Sequence, residues 1–118
     1  SFMDCVFCKI VAGEVPCDKV YEDDFVLAFK NIDPRAPIHL LVIPKMHITN
    51  FEYIESEADQ KALGQVQKVI GGLVKKMDLK SYQVLINGGS LQQVKHIHYH
   101  LMSGFTNPRQ IIQEGGVS

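Results

Sequence analysis

His96-Ile97-His98-Tyr99-His100-Leu101-Met102 is a run in which imidazole and apolar side chains alternate strictly. A β-strand sends successive side chains to opposite faces. The run therefore predicts a strand over about residues 95–103, with His96, His98 and His100 on one face and Ile97, Tyr99 and Leu101 buried on the other. Three imidazoles abreast are more than a sheet needs for stability, since each buried ring nitrogen left without a partner costs about 1–3 kcal/mol. The pattern points to chemistry, and on these residues alone nucleophilic attack, proton transfer and metal ligation all remain open. The two other histidines, His39 and His47, flank a second apolar run, and His39-Leu40-Leu41-Val42-Ile43-Pro44 reads as a strand buried on most sides.

The remaining pattern supplies the frame. Residues 5–12 read as a short helix stopped near Gly13, with Pro16 following. Residues 19–22 and 25–29 read as two strands of a hairpin turning at Asp23-Asp24. Asp33-Pro34-Arg35-Ala36-Pro37 is a loop stiffened by two fixed φ angles. The clearest helix opens at Ser56, with Asp59 three residues on in capping-box spacing. Its apolar stripe is Leu63, Val66, Val69, Ile70, Leu73, Val74 and Met77. Gly71-Gly72 weakens its second half by about 1 kcal/mol per glycine relative to alanine; close packing against the sheet is one reason to keep them. Residues 82–86 read as a strand and Asn87-Gly88-Gly89 as a turn. A mainly antiparallel sheet with helices on one face accounts for this order.

Composition narrows the function. The 118 residues make one domain, with 12 basic against 13 acidic side chains and no long run of either sign, so no broad nucleic-acid surface is expected. No apolar stretch approaches the roughly 20 residues that span a bilayer, so no membrane partner is expected. Ser1-Phe2 ahead of Met3 reads as an added remnant, with the natural start at Met3. Three cysteines and no secretion signal suggest a reducing cytoplasm without structural disulfides.

The run from His96 to Met102 matches the H-Φ-H-Φ-H-Φ-Φ signature of the histidine triad (HIT) superfamily. Residues 5–16, Val20-Tyr21-Glu22-Asp23-Asp24 and residues 36–48 resemble its branch of histidine triad nucleotide-binding proteins. The resemblance implies an α+β fold: a five-stranded antiparallel sheet with one long and one short helix, paired into a homodimer with a ten-stranded sheet. It implies binding of a purine nucleoside monophosphate and hydrolysis or transfer at the α-phosphorus. On the family motif His98 is the nucleophile, His100 bonds phosphate oxygens, His39 is the fourth histidine supporting the triad, and Asn87 is a phosphate-side contact. Val6, Phe7, Val15 and Leu41 match an apolar base pocket, a pattern that plain core residues explain equally well.

The departures are specific. Leu91-Gln92-Gln93-Val94 stands where the family usually has G-Q-S/T-V, so Gln92 keeps the glutamine and Gln93 replaces a small hydroxyl residue. An amide donates a hydrogen bond but is a poor proton source. Asn31 stands where an aspartate usually grips the ribose hydroxyls, which implies weaker ribose binding. Residues 113–118 lack the aromatic side chain that some relatives extend toward the partner's site.

Cys5-x-x-Cys8 alone is ambiguous between zinc, redox chemistry and chance. With His47 as a third ligand and His96 as a fourth the set would be Cys₂His₂, which is closed and so structural rather than catalytic; two unrelated buried thiols are the alternative. Similar members of the family hold zinc in this way. Cys17 has no visible partner. Three functions follow: a purine nucleoside 5′-phosphoramidase, a dinucleoside polyphosphate hydrolase suggested by Lys95 ahead of the triad, and a nucleotide-binding module without turnover.

Overall fold

The computed structural model of this protein describes residues 4–105, so Ser1-Phe2 and the expectation about residues 113–118 lie outside the described part. The short helix α1 spans Val6–Val11 and is followed by β1 (Lys19–Glu22), β2 (Val26–Lys30) and β3 (Ile38–Pro44). The long helix α2 (Glu57–Lys76) leads to β4 (Tyr82–Leu85) and β5 (Tyr99–Ser103), and single 3₁₀ turns sit at Phe51–Tyr53 and Gly89–Leu91. The strands form one antiparallel sheet in the order β1-β2-β3-β5-β4, so the histidine strand is inserted between β3 and the edge strand β4.

Alternation in the central strands divides the core. Val26, Ala28, Leu40, Val42, Ile97, Tyr99 and Leu101 pack on one face with Ala62, Leu63, Val66, Val69, Ile70 and Leu73 of α2. Leu27, Phe29, Leu41 and Ile43 face the other way and meet Cys5 and Phe7 of the N-terminal segment. Fully burying an aliphatic or aromatic side chain of this size contributes about 1.5–3 kcal/mol. The helices thus cover opposite faces, which corrects the expectation that both lie on one. β2 and β3 are apolar on both faces and need a cover on each.

Ser56 caps α2 as expected: its hydroxyl accepts from Asp59 N at 3.1 Å, and Asp59 Oδ2 accepts from Ser56 N at 3.1 Å. Val74 is half-buried and Met77 largely exposed, so the inward stripe weakens in the last turn. Close packing is not the reason for Gly71-Gly72, because a Cβ added at either glycine would meet nothing within 4 Å.

The histidine strand is shorter than its pattern. Regular pairing begins at Tyr99, opposite Val42. Ahead of it the Ile97 N–H bonds Ile48 O at 2.7 Å, and the Pro44 carbonyl is taken by the His96 ring at 2.8 Å. The segment from His96 to His98 is therefore held by a loop and a side chain instead of a ladder. The alternation of faces continues through it unchanged.

Candidate active site and metal cluster

Leu41 of β3 lies opposite His100 of β5 and His39 opposite Met102, which makes His39 and His100 diagonal neighbours on the face away from α2. Their rings are 5.1 Å apart, with His39 Nε2 2.8 Å from His100 Nδ1. The His98 ring lies 5.1 Å from that of His100, and the edge of Phe7 meets His98 at 5.0 Å. His96, His98, His100 and His39 are all buried.

The protons can be assigned by following the donors. The backbone N–H of Arg35 donates to His39 Nδ1 at 2.9 Å, so that nitrogen carries a lone pair. A neutral His39 then has its proton on Nε2 and donates it to His100 Nδ1. His100 in turn carries its proton on Nε2, a buried nitrogen with no hydrogen-bond partner among the described residues. This chain presents an N–H donor ready for an acceptor. His98 Nδ1 is 2.8 Å from the His96 carbonyl oxygen, which can only accept; Nδ1 therefore holds the proton and Nε2 the lone pair. The stiff loop before β3 sets this order, since it aims the Arg35 N–H at His39.

Burial keeps the His39, His96 and His100 rings neutral. Burial, then the Arg35 charge, lowers His39 to about 4 against a small upward pull from Asp33. Burial, then the neighbouring His98 and His39, lowers His100 to about 3. Burial lowers His96 to about 4, and the bond to Pro44 offsets only part of it. Neutral rings are what nucleophilic and metal-ligating imidazoles require.

Cys5, Cys8, His47 and His96 come together as expected, their four ligand atoms all within 4.8 Å of one another. Cys5 Sγ and Cys8 Sγ lie 3.4 and 3.5 Å from His96 Nδ1, and Cys8 Sγ lies 3.2 Å from His47 Nδ1. A tetrahedral ion with bonds of about 2.0–2.3 Å would set its ligands at such spacings. The His96 ring donates from Nε2 to the Pro44 carbonyl, which leaves the Nδ1 lone pair facing the thiols, the tautomer a metal ligand needs. Burial and the Cys5 thiol push the Cys8 thiol up to about 11, an environment that a divalent cation would reverse. The residues fit a metal.

The other expected site residues are dispersed. Phe7 and Leu41 join one apolar cluster beneath the histidines; Val15 is half-buried and outside it. Val6 and the exposed Gln93 line a cleft of about 430 Å³ with His47, Thr49, Val94 and Lys95. Asn31 Oδ1 accepts from Asp33 N at 2.9 Å. Its Nδ2 lies 3.3 Å from His39 Nε2, a proximity without a bond when that nitrogen already donates to His100. Asn87 is half-buried at the end of β4. Gln92 is buried with its amide engaged, its Nε2 donating to Thr49 O at 2.7 Å and its Oε1 accepting from Asn50 at 3.0 Å. Two features escaped the sequence reading. Ile32 is 99% exposed beside Asn31. Asn50 is 2% exposed and ties its own segment to the loop that carries Asn87 and Gln92, although a lone asparagine between apolar runs gives no sign of it.

Comparison with known proteins gives a consistent result. The family model described as HIT domain matches residues 12–107. An uncharacterized HIT-like protein of Methanocaldococcus jannaschii is 35% identical over 96% of this chain and 88% of its own. Among solved structures, a histidine triad protein from Clostridium difficile is 42% identical with a TM-score of 0.83, covering 90% of this chain and 95% of that one. A HIT family hydrolase from Legionella pneumophila is 38% identical with a TM-score of 0.81, covering 87% and 95%.

Proposed function

The chain belongs to the HIT family, and from that premise we propose that it is a purine nucleotide-binding hydrolase acting at the α-phosphorus, a nucleoside 5′-phosphoramidase working through a nucleotidyl-His98 intermediate. The observation that carries this reading is the hydrogen-bond geometry of the two rings, which assigns a lone pair to His98 Nε2 and a proton to His100 Nε2.

His98 Nε2 attacks phosphorus, forming a P–N bond as the substrate's bond to its amine breaks. Attack makes the His98 ring cationic, and the His96 carbonyl, which accepts from Nδ1–H, stabilises that charge. The His100 Nε2–H bonds a phosphate oxygen as negative charge builds there. The amine leaves with a proton that Gln93 is ill suited to supply, so leaving groups protonated from solvent are favoured. Water then attacks phosphorus, the P–N bond to His98 breaks, and the nucleoside monophosphate departs with His98 restored. Phe7 and Leu41 provide the apolar side of the nucleoside pocket, while Asn31, Asn87 and the loop of Gln92 and Gln93 face the ribose and phosphate.

Zinc is the metal that best suits Cys5, Cys8, His47 and His96. When bound it supplies charge and rigidity at a closed site, fixing His96 and with it the carbonyl behind His98. A homodimer paired through a sheet edge completes the proposal.

Release of AMP from adenosine 5′-phosphoramidate, measured for the wild type and His98→Ala, tests the chemistry. Turnover that disappears in the variant, with a nucleotidyl adduct on the wild type by intact mass, is expected. A folded wild type that binds AMP without turnover would refute the phosphoramidase assignment. Parallel assays with diadenosine triphosphate would then separate a polyphosphate hydrolase from a binding module.

A further inference from the structure

Between β4 and the first histidine the chain runs through Asn87, Gly88, Gly89, Leu91 and Gln93 with only one 3₁₀ turn of its own, and Leu91 is 70% exposed. Such a loop does not hold its shape by packing. Its position comes from polar ties, and two of those to the rest of the chain are made by one side chain. Asn50 Nδ2 donates to Asn87 O at 2.8 Å and to Gln92 Oε1 at 3.0 Å, while Asn50 Oδ1 accepts from Phe51 N at 2.8 Å. Gln92 Nε2 returns to Thr49 O at 2.7 Å, and Lys95 Nζ donates to Gly89 O at 3.0 Å. The loop also passes close, since a Cβ on Gly88 would lie 3.6 Å from Asn50 Nδ2. The segment that carries Asn50 is itself anchored to the site: His47 belongs to the cysteine–histidine cluster, and Ile48 O receives the Ile97 N–H.

We propose that Asn50 is a positioning residue for the reaction, holding the loop from Asn87 to Gln93 in a fixed place ahead of the histidine strand. The inference rests on the α-phosphorus reading above. Asparagine suits the place because its amide offers two donors and an acceptor from one short side chain, and both donors are used. Aspartate has the shape without the donors, and serine has too little reach. Gln93 and the loop backbone can meet the phosphate only where this amide puts them. A misplacement of about 1 Å that originates away from the chemistry can cost on the order of a hundredfold in rate.

The test compares wild type with Asn50→Ser, whose hydroxyl can still cap Phe51, and with the isosteric Asn50→Asp should the serine variant fail to fold. Amide hydrogen exchange without ligand should quicken across residues 88–93 and stay unchanged in α2. The kcat for adenosine 5′-phosphoramidate should fall about ten- to a hundredfold at a temperature where the variant is fully folded. Gln92→Leu should lose a similar factor, and the double variant no more than the worse single one, because both cut the same network. A folded variant with wild-type kcat overturns the proposal whatever its melting temperature, as does unchanged exchange in the loop. Inactivity of the wild type is a separate failure, of the phosphoramidase reading. AMP affinity then decides for Asn50, with weaker binding by the variant supporting the role and equal binding refuting it.

Discussion

His39 shows how one residue carries structure and chemistry together. Its ring closes the path from the Arg35 N–H to His100, and burial holds it at about 4 while an unfolded histidine titrates near 6.5. The unfolded chain therefore binds the proton first as pH falls, and stability must drop through that interval. Neutral His39 contributes its full stability above the unfolded value and loses it progressively as the pH falls toward 4. From about pH 7.5 to about pH 5 the loss due to His39 is roughly 2 kcal/mol. Urea unfolding of wild type and His39→Gln at both pH values checks this. The variant should show a shallower fall, and equal falls would mean that His39 is not buried as a neutral ring. At this scale the sequence was informative where spacing carried the meaning. The alternation from His96 to Leu101 named the faces, and Cys5, Cys8, His47 and His96, separated by up to 91 residues, met as the motif implied. Asn50 and the buried amide of Gln92 were illegible as a pair, because a hydrogen-bond network between loops has no periodicity to betray it.

Among elements, α1 is the most dependent on its surroundings. Six residues cannot hold a helix in water, since nucleation is unfavourable and the chain is far below the ~12 residues needed. Phe7 anchors it in the core, and Cys5 and Cys8 place two of four ligand atoms at its start. If the cluster holds zinc, then removing the metal with a strong chelator should lower the melting temperature and speed amide exchange through residues 5–12, with α2 unaffected. Elemental analysis of the protein before chelation should find about one zinc per chain. Metal-free protein of unchanged stability would sink the zinc assignment. The end of β5 gives a second, independent case. Gly104 has φ +100°, and a Cβ there would stand 2.7 Å from the Pro37 ring, whose own φ is fixed. Gly104→Ala should cost more than about 1 kcal/mol in chemical denaturation, and a neutral effect would contradict the close approach. Element boundaries were legible where local chemistry sets them, as at the Ser56 cap, and misread where tertiary bonds do. The strand beginning at Tyr99 instead of near residue 95 reflects the claims of Ile48 O and Pro44 O on the preceding backbone and ring. The placement of α1 on the face opposite α2 followed from β2 and β3 being apolar on both sides, a pattern that marks buried strands without saying what covers them.

For the whole molecule, the two edges of the sheet are unequal. Edge strands are hazards that folded proteins blunt with charge, bulges and twist. β1 has these defences: Lys19 and Lys45 bracket Glu22, and the pairing register shifts between Lys19 and Tyr21. β4 has none. Its sequence is Tyr-Gln-Val-Leu, without a charge, and Tyr82 and Val84 are 49% and 46% exposed. Two copies joined edge to edge through β4 would make a ten-stranded sheet and bury both side chains, whereas joining through β1 would bury ion-paired lysines at a cost. The expected result is a dimer at micromolar concentration by sedimentation velocity, and a monomer for Val84→Lys with unchanged far-ultraviolet circular dichroism. Dissociation by a lysine on β1 instead, at Val20, would move the interface to the other edge, and a monomeric wild type would remove it. The two histidine sites of such a dimer would lie on one continuous sheet, since β5 is the immediate neighbour of β4. Leu85 of β4 pairs with His100, so strain at the β4 edge reaches, through a single ladder contact, the ring proposed above to bond phosphate. If the proposed function holds, the same Val84→Lys monomer should therefore retain AMP binding while losing part of its kcat, a split that steady-state kinetics beside binding titration would reveal. Equal loss of both would indicate general loosening of the sheet instead.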